Sequence, residues 1–265
     1  MPELPEVETV VRELRHLSGD QFDSLKVHWF KTVGGEEKLF KSKLLNKPIT
    51  RVFRRGKYIC FSFANKVILT IHLRMTGKLI FSLSEKDQKH CRVEFGLKKN
   101  KALYFVDIRK FGRMQLWEED HLLPDLGPEP LEKDVVYNAL LEYKGKKEIK
   151  KVLLDQKILV GVGNIYADEA LFQAKINPNS KFDRISKKRI AALSDAIPKI
   201  LRASINNMGT TLSDYRTTKN IGGENQNYLK VYGQTGLPCV VCDSTIKRLI
   251  VGGRSTHYCP VCQKK

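Results

Sequence analysis

The sequence predicts an α+β protein: a leading helix and an N-terminal β-sandwich, then a helical domain, then a four-cysteine hairpin. Three observations carry this. Between Phe22 and Trp117, short β-branched and aromatic runs alternate with Gly, Asn and Lys clusters, as in an antiparallel sandwich or barrel. The stretch Leu123-Pro124-Asp125-Leu126-Gly127-Pro128-Glu129-Pro130 can continue neither helix nor strand, and after it the apolar period becomes helical. Near the C-terminus, Cys239-x-x-Cys242 and Cys259-x-x-Cys262 are separated by sixteen residues. The expected domains are 1–125, 131–230 and 231–265.

In chain order, Val7, Val10, Val11, Leu14 and Leu17 fall at helical spacing. Pro5 suits the first turn of that helix, Glu6 and Glu8 lie at its positive end, and Gly19 ends it. Strands are expected near 25–33, 49–54, 58–63, 66–72, 78–82, 92–96, 102–107 and 113–117. Gly56-Lys57 reads as a tight turn with Lys57 projecting. Helices are expected near 134–143, 147–154, 164–174 and 186–207. Between the second and third lies Gly161-Val162-Gly163-Asn164, a glycine turn feeding a helix whose free N–H groups suit a phosphate. A polar stretch from Gly209 to about Tyr228 has few apolar anchors and reads as a functional lid or a disordered linker.

The four cysteines suit a closed tetrahedral thiolate shell around one structural zinc ion; by ligand type an iron–sulfur site is the alternative. Cys60 and Cys91 stand alone, so the cysteine usage fits a reducing compartment and not a disulfide framework. With 47 Lys plus Arg against 29 Asp plus Glu, the net charge is +18, which points to a polyanion and first of all to nucleic acid. No run approaches the 18 apolar residues of a membrane span, and the acidic N-terminus has no apolar h-region.

The first six residues, Met1-Pro2-Glu3-Leu4-Pro5-Glu6, carry candidate chemistry. Removal of Met1 is expected ahead of so small a second residue, and it leaves Pro2 with a free secondary amine. An α-amino group titrates at roughly 7.7–8.0, so a sizeable fraction is neutral and nucleophilic near neutral pH. Attack on a sugar aldehyde carbon gives an iminium ion, a good electron sink. Glu3 stands beside it as a candidate acid for the leaving group or the ring oxygen. The helix that follows pins the amine in place.

Several separated motifs then occur in order: Pro2-Glu3-Leu4-Pro5-Glu6-Val7-Glu8-Thr9, Lys57 in Gly-Lys-Tyr, Asp107-Ile-Arg-Lys-Phe-Gly112, Leu153-Leu-Asp-Gln156, Gly161-Val-Gly-Asn-Ile-Tyr-Ala-Asp-Glu169 and the four cysteines. Together they resemble the bacterial formamidopyrimidine-DNA glycosylases across the whole chain. The resemblance implies a sandwich followed by a helix–two-turn–helix domain and a zinc finger. It implies a monomeric bifunctional glycosylase and abasic-site lyase, acting on oxidised purines in duplex DNA in the bacterial cytoplasm at the nucleoid. By the same resemblance Pro2 is the Schiff-base nucleophile and Glu3 the proton donor in base release. Lys57 assists β-elimination and Arg254 δ-elimination. His90, Arg109, Lys150 and Asn164 contact DNA, and Met75, Arg109 and Phe111 fill the gap left by the flipped nucleotide. Cys239, Cys242, Cys259 and Cys262 hold the zinc. The chain departs from the family pattern at Arg74, Ile108 and Lys110, at His90-Cys91-Arg92, and over 216–227. Two further readings are an endonuclease VIII-like enzyme for oxidised pyrimidines and a non-catalytic binder of damaged DNA.

Overall fold

In the computed structural model, which describes residues 1–264, the chain divides into two compact units. The first is Met1–Pro124 with Asn207–Glu224; the second is Asp125–Asn206 with the segment from Asn225 onward.

The first unit opens with α1 (Leu4–Leu14), extended by a 3₁₀ turn over Arg15–Leu17. Then come β1 (Phe22–Val27), α2 (Glu37–Leu44), β2 (Ile49–Arg55), β3 (Tyr58–Phe63), β4 (Val67–His72), β5 (Gly77–Ile80), α3 (Glu85–Gln88), β6 (Cys91–Leu97), β7 (Leu103–Asp107) and β8 (Arg113–Glu118). Two four-stranded antiparallel sheets form, in the orders β1-β6-β7-β5 and β2-β3-β4-β8. One core joins them: Phe22, Phe61, Phe63, Phe95 and Phe105 are buried with Val7, Val10, Val11 and Leu14 of α1. The amphipathic spacing of α1 thus buries the first helix in the sandwich and fixes the chain start against it.

Three elements differ from expectation, one of them the four-residue α3, which has no buried residue to signal it. The first strand ends at Val27, where pairing with Val93 stops, and His28 and Trp29 both donate their N–H to the Arg92 carbonyl. The chain then turns, with Gly34 at φ 64° closing a 3₁₀ turn over Phe30–Val33. Helix α2 was not expected, because Phe40 and Leu44 are its only buried residues and leave little periodic signal.

The second unit holds α4 (Lys133–Glu142), α5 (Ile149–Leu154), α6 (Asn164–Gln173), α7 (Lys187–Asn206) and the hairpin β9 (Lys247–Val251)–β10 (Arg254–Tyr258). The segment 207–224 groups with the sandwich instead, although the sequence reading had placed it in the helical domain 131–230. Its anchors are polar and were invisible to a hydrophobic count. Thr210 N donates to Glu6 Oε1 at 2.7 Å, and both N and Oγ1 of Thr218 donate to Glu13 Oε2 at 2.7 Å. Tyr215, buried in the sandwich core, has its hydroxyl within donating distance of the Met208 carbonyl at 3.1 Å and the Glu6 carbonyl at 3.3 Å, which share its one proton. Among the described residues, no helix is long and apolar enough to cross a membrane.

Candidate active site

Pro2 is buried directly before α1. Glu3, 3% exposed, is the N-cap residue, and the Glu3–Glu6 pair forms a capping box. In it Glu3 N donates to Glu6 Oε2 at 2.7 Å. Since Glu6 Oε1 takes Thr210 N, one buried carboxylate ties the chain start to the 207–224 segment. The first residues of a chain ordinarily fray; here the cap, the core side of α1 and the Glu6 bridge hold them.

Lys57 is reached through the same helix. Glu8 accepts from Arg54 Nε at 3.0 Å, and Arg54 Nη1 donates to the carbonyl of Gly56, which sits at φ 55° in the turn between β2 and β3. Lys57 itself is 7% exposed, so it does not project into solvent as the turn alone suggested. His72 lies near it, opposite Tyr58 in the β3–β4 register and edge-on to that ring at 4.7 Å. Burial, with Arg74 and Lys57 close by, pushes the imidazole down to about 3. Arg74 N donates to His72 Nδ1 at 2.9 Å, so the neutral ring carries its proton on Nε2 and offers it as a donor. The sequence reading missed His72; a lone histidine at a strand end beside Leu73-Arg74-Met75 was its sole signal.

Met75, Arg109 and Phe111 come from two loops that meet. Arg109 Nη1 lies 3.3 Å from Met75 Sδ, and its guanidinium stands 5.0 Å over the Phe111 ring. Met75 and Phe111 are 42% and 47% exposed, so core packing does not account for them. What joins the loops is Asp107, 1% exposed. Its carboxylate accepts the Thr76 hydroxyl from one loop, and Arg109 N at 3.2 Å and Gly112 N at 2.7 Å from the other. His90, partly exposed where α3 meets β6, accepts Asp107 N on its carbonyl.

In the second unit, Gln156 clamps the glycine turn: Gly161 N donates to its Oε1 at 2.9 Å, and its Nε2 donates to the Val162 carbonyl at 2.9 Å. Gly161 is at φ 89°, a conformation that favours glycine. Asn164 follows as the first residue of α6 and donates Nδ2 to the Ser255 carbonyl at 3.0 Å. Arg254 is exposed at the start of β10, after the positive-φ pair Gly252-Gly253. Lys150, a DNA contact by the family resemblance, lies on α5. It is 0% exposed, and its ammonium donates to Asp168 Oδ1 at 2.6 Å, Thr256 Oγ1 at 2.8 Å and the Ser255 carbonyl at 3.1 Å. An ammonium has three protons to give, and these three oxygens, all of the protein, lie around it inside the fold. Lysine spacing on the short helix α5 gave no sign of this.

The four cysteine Sγ atoms lie within 4.8 Å of one another. Cys242 stands 3.5 Å from both Cys259 and Cys262, and Cys239 stands 3.9 Å from Cys262. Those separations match the edges of a tetrahedron with metal–sulfur bonds of about 2.3 Å and exceed a disulfide bond of about 2.05 Å. The donor set therefore fits one zinc ion in a closed shell, which has no open position for water or substrate.

Family models match along the chain: the formamidopyrimidine-DNA glycosylase N-terminal domain over 1–114, the H2TH domain of the same enzymes over 126–216, and the zinc finger found in FPG and IleRS over 236–265. A formamidopyrimidine-DNA glycosylase of Herpetosiphon aurantiacus is 44% identical, over 99% of this chain and 100% of that one. One from Ligilactobacillus salivarius is 41% identical over 99% of each. The Lactococcus lactis Fpg in complex with DNA containing an abasic site is 36% identical, over 99% of this chain and 100% of that one, with a TM-score of 0.89. The same lactococcal protein has been solved with DNA containing an oxidised pyrimidine, again at 36% identity and TM-score 0.89 over the full length of both chains.

Proposed function

Because the chain belongs to the formamidopyrimidine-DNA glycosylase family, we propose that it excises oxidised purines from duplex DNA through Pro2 and then cleaves the sugar–phosphate backbone at the abasic site. The observation that carries the reading is the anchored chain start. Pro2 is buried at the head of a helix that is capped by Glu3–Glu6 and packed into the sandwich. Rate depends steeply on that placement.

The steps follow from the groups present. A base stacked in a duplex cannot reach Pro2, so the nucleotide is extruded at a cost of a few kcal/mol. Met75 and Phe111 fill the gap and Arg109 meets the orphaned base, and their exposure supports that use. The neutral Pro2 nitrogen forms a bond to C1′, the glycosidic bond breaks, and the base leaves with a proton. The C1′–O4′ bond opens and the nitrogen lone pair makes the iminium; of the two protons that the base and O4′ need, Glu3 delivers one and the amine N–H gives up the other. The iminium draws electrons from C2′–H, so the 3′ phosphate leaves by β-elimination, which Lys57 assists. A second elimination, which Arg254 assists, releases the 5′ phosphate. Asn164, His90 and the neutral His72 donate to backbone phosphates. Zinc holds the β9–β10 hairpin in shape. The setting is the bacterial cytoplasm, where the +18 charge draws the protein to DNA.

Borohydride reduction on an abasic duplex tests the chemistry, and a panel of duplexes bearing single oxidised bases tests the substrate. The lactococcal complex with oxidised-pyrimidine DNA puts pyrimidine lesions on that panel. The reading expects a trapped adduct and faster release of 8-oxoguanine and formamidopyrimidines than of oxidised pyrimidines. Faster pyrimidine release would favour the endonuclease VIII-like alternative. Clean binding with no adduct would make the protein a binder and not an enzyme.

A further inference from the structure

We propose that Lys150 is a positioning residue for Arg254, acting through the Ser255 carbonyl and never on DNA itself; the proposal rests on the reading that Arg254 serves δ-elimination. The Ser255 carbonyl accepts two side-chain donors from two different helices, Lys150 Nζ from α5 and Asn164 Nδ2 from α6. It belongs to the residue after Arg254, so these two bonds set the height and tilt of the β10 start.

The rest of the network removes the remaining freedom. Thr256 Oγ1, fully buried, accepts from Lys150 and donates back to the Arg254 carbonyl at 3.1 Å. Asp168 takes the Lys150 ammonium on Oδ1 and the backbone N–H of His257 on Oδ2 at 2.9 Å. Residues 254, 255, 256 and 257 are thus each fixed by a group that leads back to the Lys150–Asp168 pair. Lys151, next on α5, supports the adjoining turn: a Cβ added at Gly252 would stand 3.1 Å from its side chain. The neighbouring Glu169 holds residues 230–232 through three backbone N–H groups, so two adjacent acids of α6 anchor two segments.

This arrangement explains why a lysine is buried at all. An ion pair out of water is weak evidence for stability, since apolar residues of like volume often serve as well. A pair that also fixes a carbonyl and a hydroxyl beside a working side chain has a positional use that apolar packing cannot supply.

The test uses the full-length, zinc-loaded protein and an end-labelled abasic duplex. The β product, with an unsaturated 3′ aldehyde, and the δ product, with a 3′ phosphate, separate on a gel. Wild type making the δ product and Arg254→Ala losing it is the control for the underlying reading; if that control fails, the role of Arg254 falls whatever Lys150 does. Given the control, Lys150→Met lowers the δ-to-β ratio by up to about a hundredfold, the scale of a misplacement of about 1 Å. The Lys150→Met/Arg254→Ala double variant falls no further than Arg254→Ala. Where Lys150→Met folds poorly, Lys150→Met/Asp168→Leu removes both buried charges and restores melting while the ratio stays low. Thr256→Val, which keeps the ion pair, gives a smaller fall of the same sign. A wild-type ratio in a folded, zinc-loaded Lys150 variant overturns the proposal. So does a wild-type ratio together with weaker binding of shallower salt dependence, which would make Lys150 a phosphate contact after all.

Discussion

Two buried aspartates do comparable work in the two units by different means. Asp107 gathers the loops that carry Met75, Arg109 and Phe111, and its carboxylate accepts from neutral donors: a hydroxyl and two backbone N–H groups. Asp168 fixes the β9–β10 hairpin and faces a fully buried ammonium. The difference is one of consequence. Losing a neutral partner leaves one dipole unsatisfied, at about 1–3 kcal/mol. Losing one member of a buried ion pair strands a charge, at about 3–5 kcal/mol. The exposed trio is therefore mounted on a device that tolerates adjustment, and the hairpin is locked. On the proposed function, a wedge that enters a base stack has reason to adapt, and an arginine that meets one phosphate does not.

The largest expected effect is on the locked side. Cys239→Ser removes one thiolate from a shell whose binding energy, on the order of 10–16 kcal/mol in isolated fingers, is also folding energy. The variant is expected to lose its zinc and the amide protection of β9–β10, and to bind every duplex more weakly with a shallower salt dependence. Borohydride trapping should return in part at low salt and high protein concentration, because Pro2 lies in the other unit. Zinc content, hydrogen exchange and salt-dependent affinity on one preparation read this out. A zinc-free variant that binds like wild type would remove the hairpin from the DNA-binding surface.

A smaller effect is expected from Asp107→Asn. The amide can place an NH₂ against Arg109 N or Gly112 N, so the loops part by a loss of about 1–3 kcal/mol. Melting should fall modestly. Excision of a stacked damaged base should fall more than cleavage of a pre-formed abasic site, where less stacking opposes extrusion. Equal losses on both substrates would detach Asp107 from the wedge.

The smallest effect at neutral pH concerns His72. Its folded value of about 3 lies below the ordinary 6.5, so between those values the unfolded chain binds a proton that the fold refuses. This contribution to stability is intact above pH 6.5 and is lost as pH falls from 6.5 toward 3. His72→Gln should leave melting near pH 7.5 little changed and flatten the decline between pH 6 and 4. An unchanged slope would mean that the imidazole is not held neutral by the fold.

Much of the fold was legible because its signals are periodic. The strand at Tyr58–Phe63 and the helix beginning at Asn164 coincide with the apolar patterns that predicted them, and the cysteine spacing is itself the site. What escaped the sequence is carried by single polar bonds across long separations. Glu6 and Glu13 hold Thr210 and Thr218 more than two hundred residues away, and Lys150 meets Thr256 more than a hundred residues on. No period records such bonds, so the 207–224 segment read as poorly anchored, and nothing in the sequence showed the partners of Lys150. Asp107 stood inside a motif that was recognised, but only the two loops seen together show what its carboxylate does.

The central claim is that the amine of Pro2 is the nucleophile, and the most direct measurement is the location of the trapped bond. Wild-type protein is reduced with borohydride on an abasic duplex, the DNA is digested to a short remnant, and the peptides are sequenced by mass spectrometry. The account predicts the remnant on the nitrogen of Pro2, in a peptide that lacks Met1, with Pro2→Gly losing most base excision while still binding lesion DNA. A remnant on Lys57 or another lysine, or near-wild-type excision by Pro2→Gly, would contradict it.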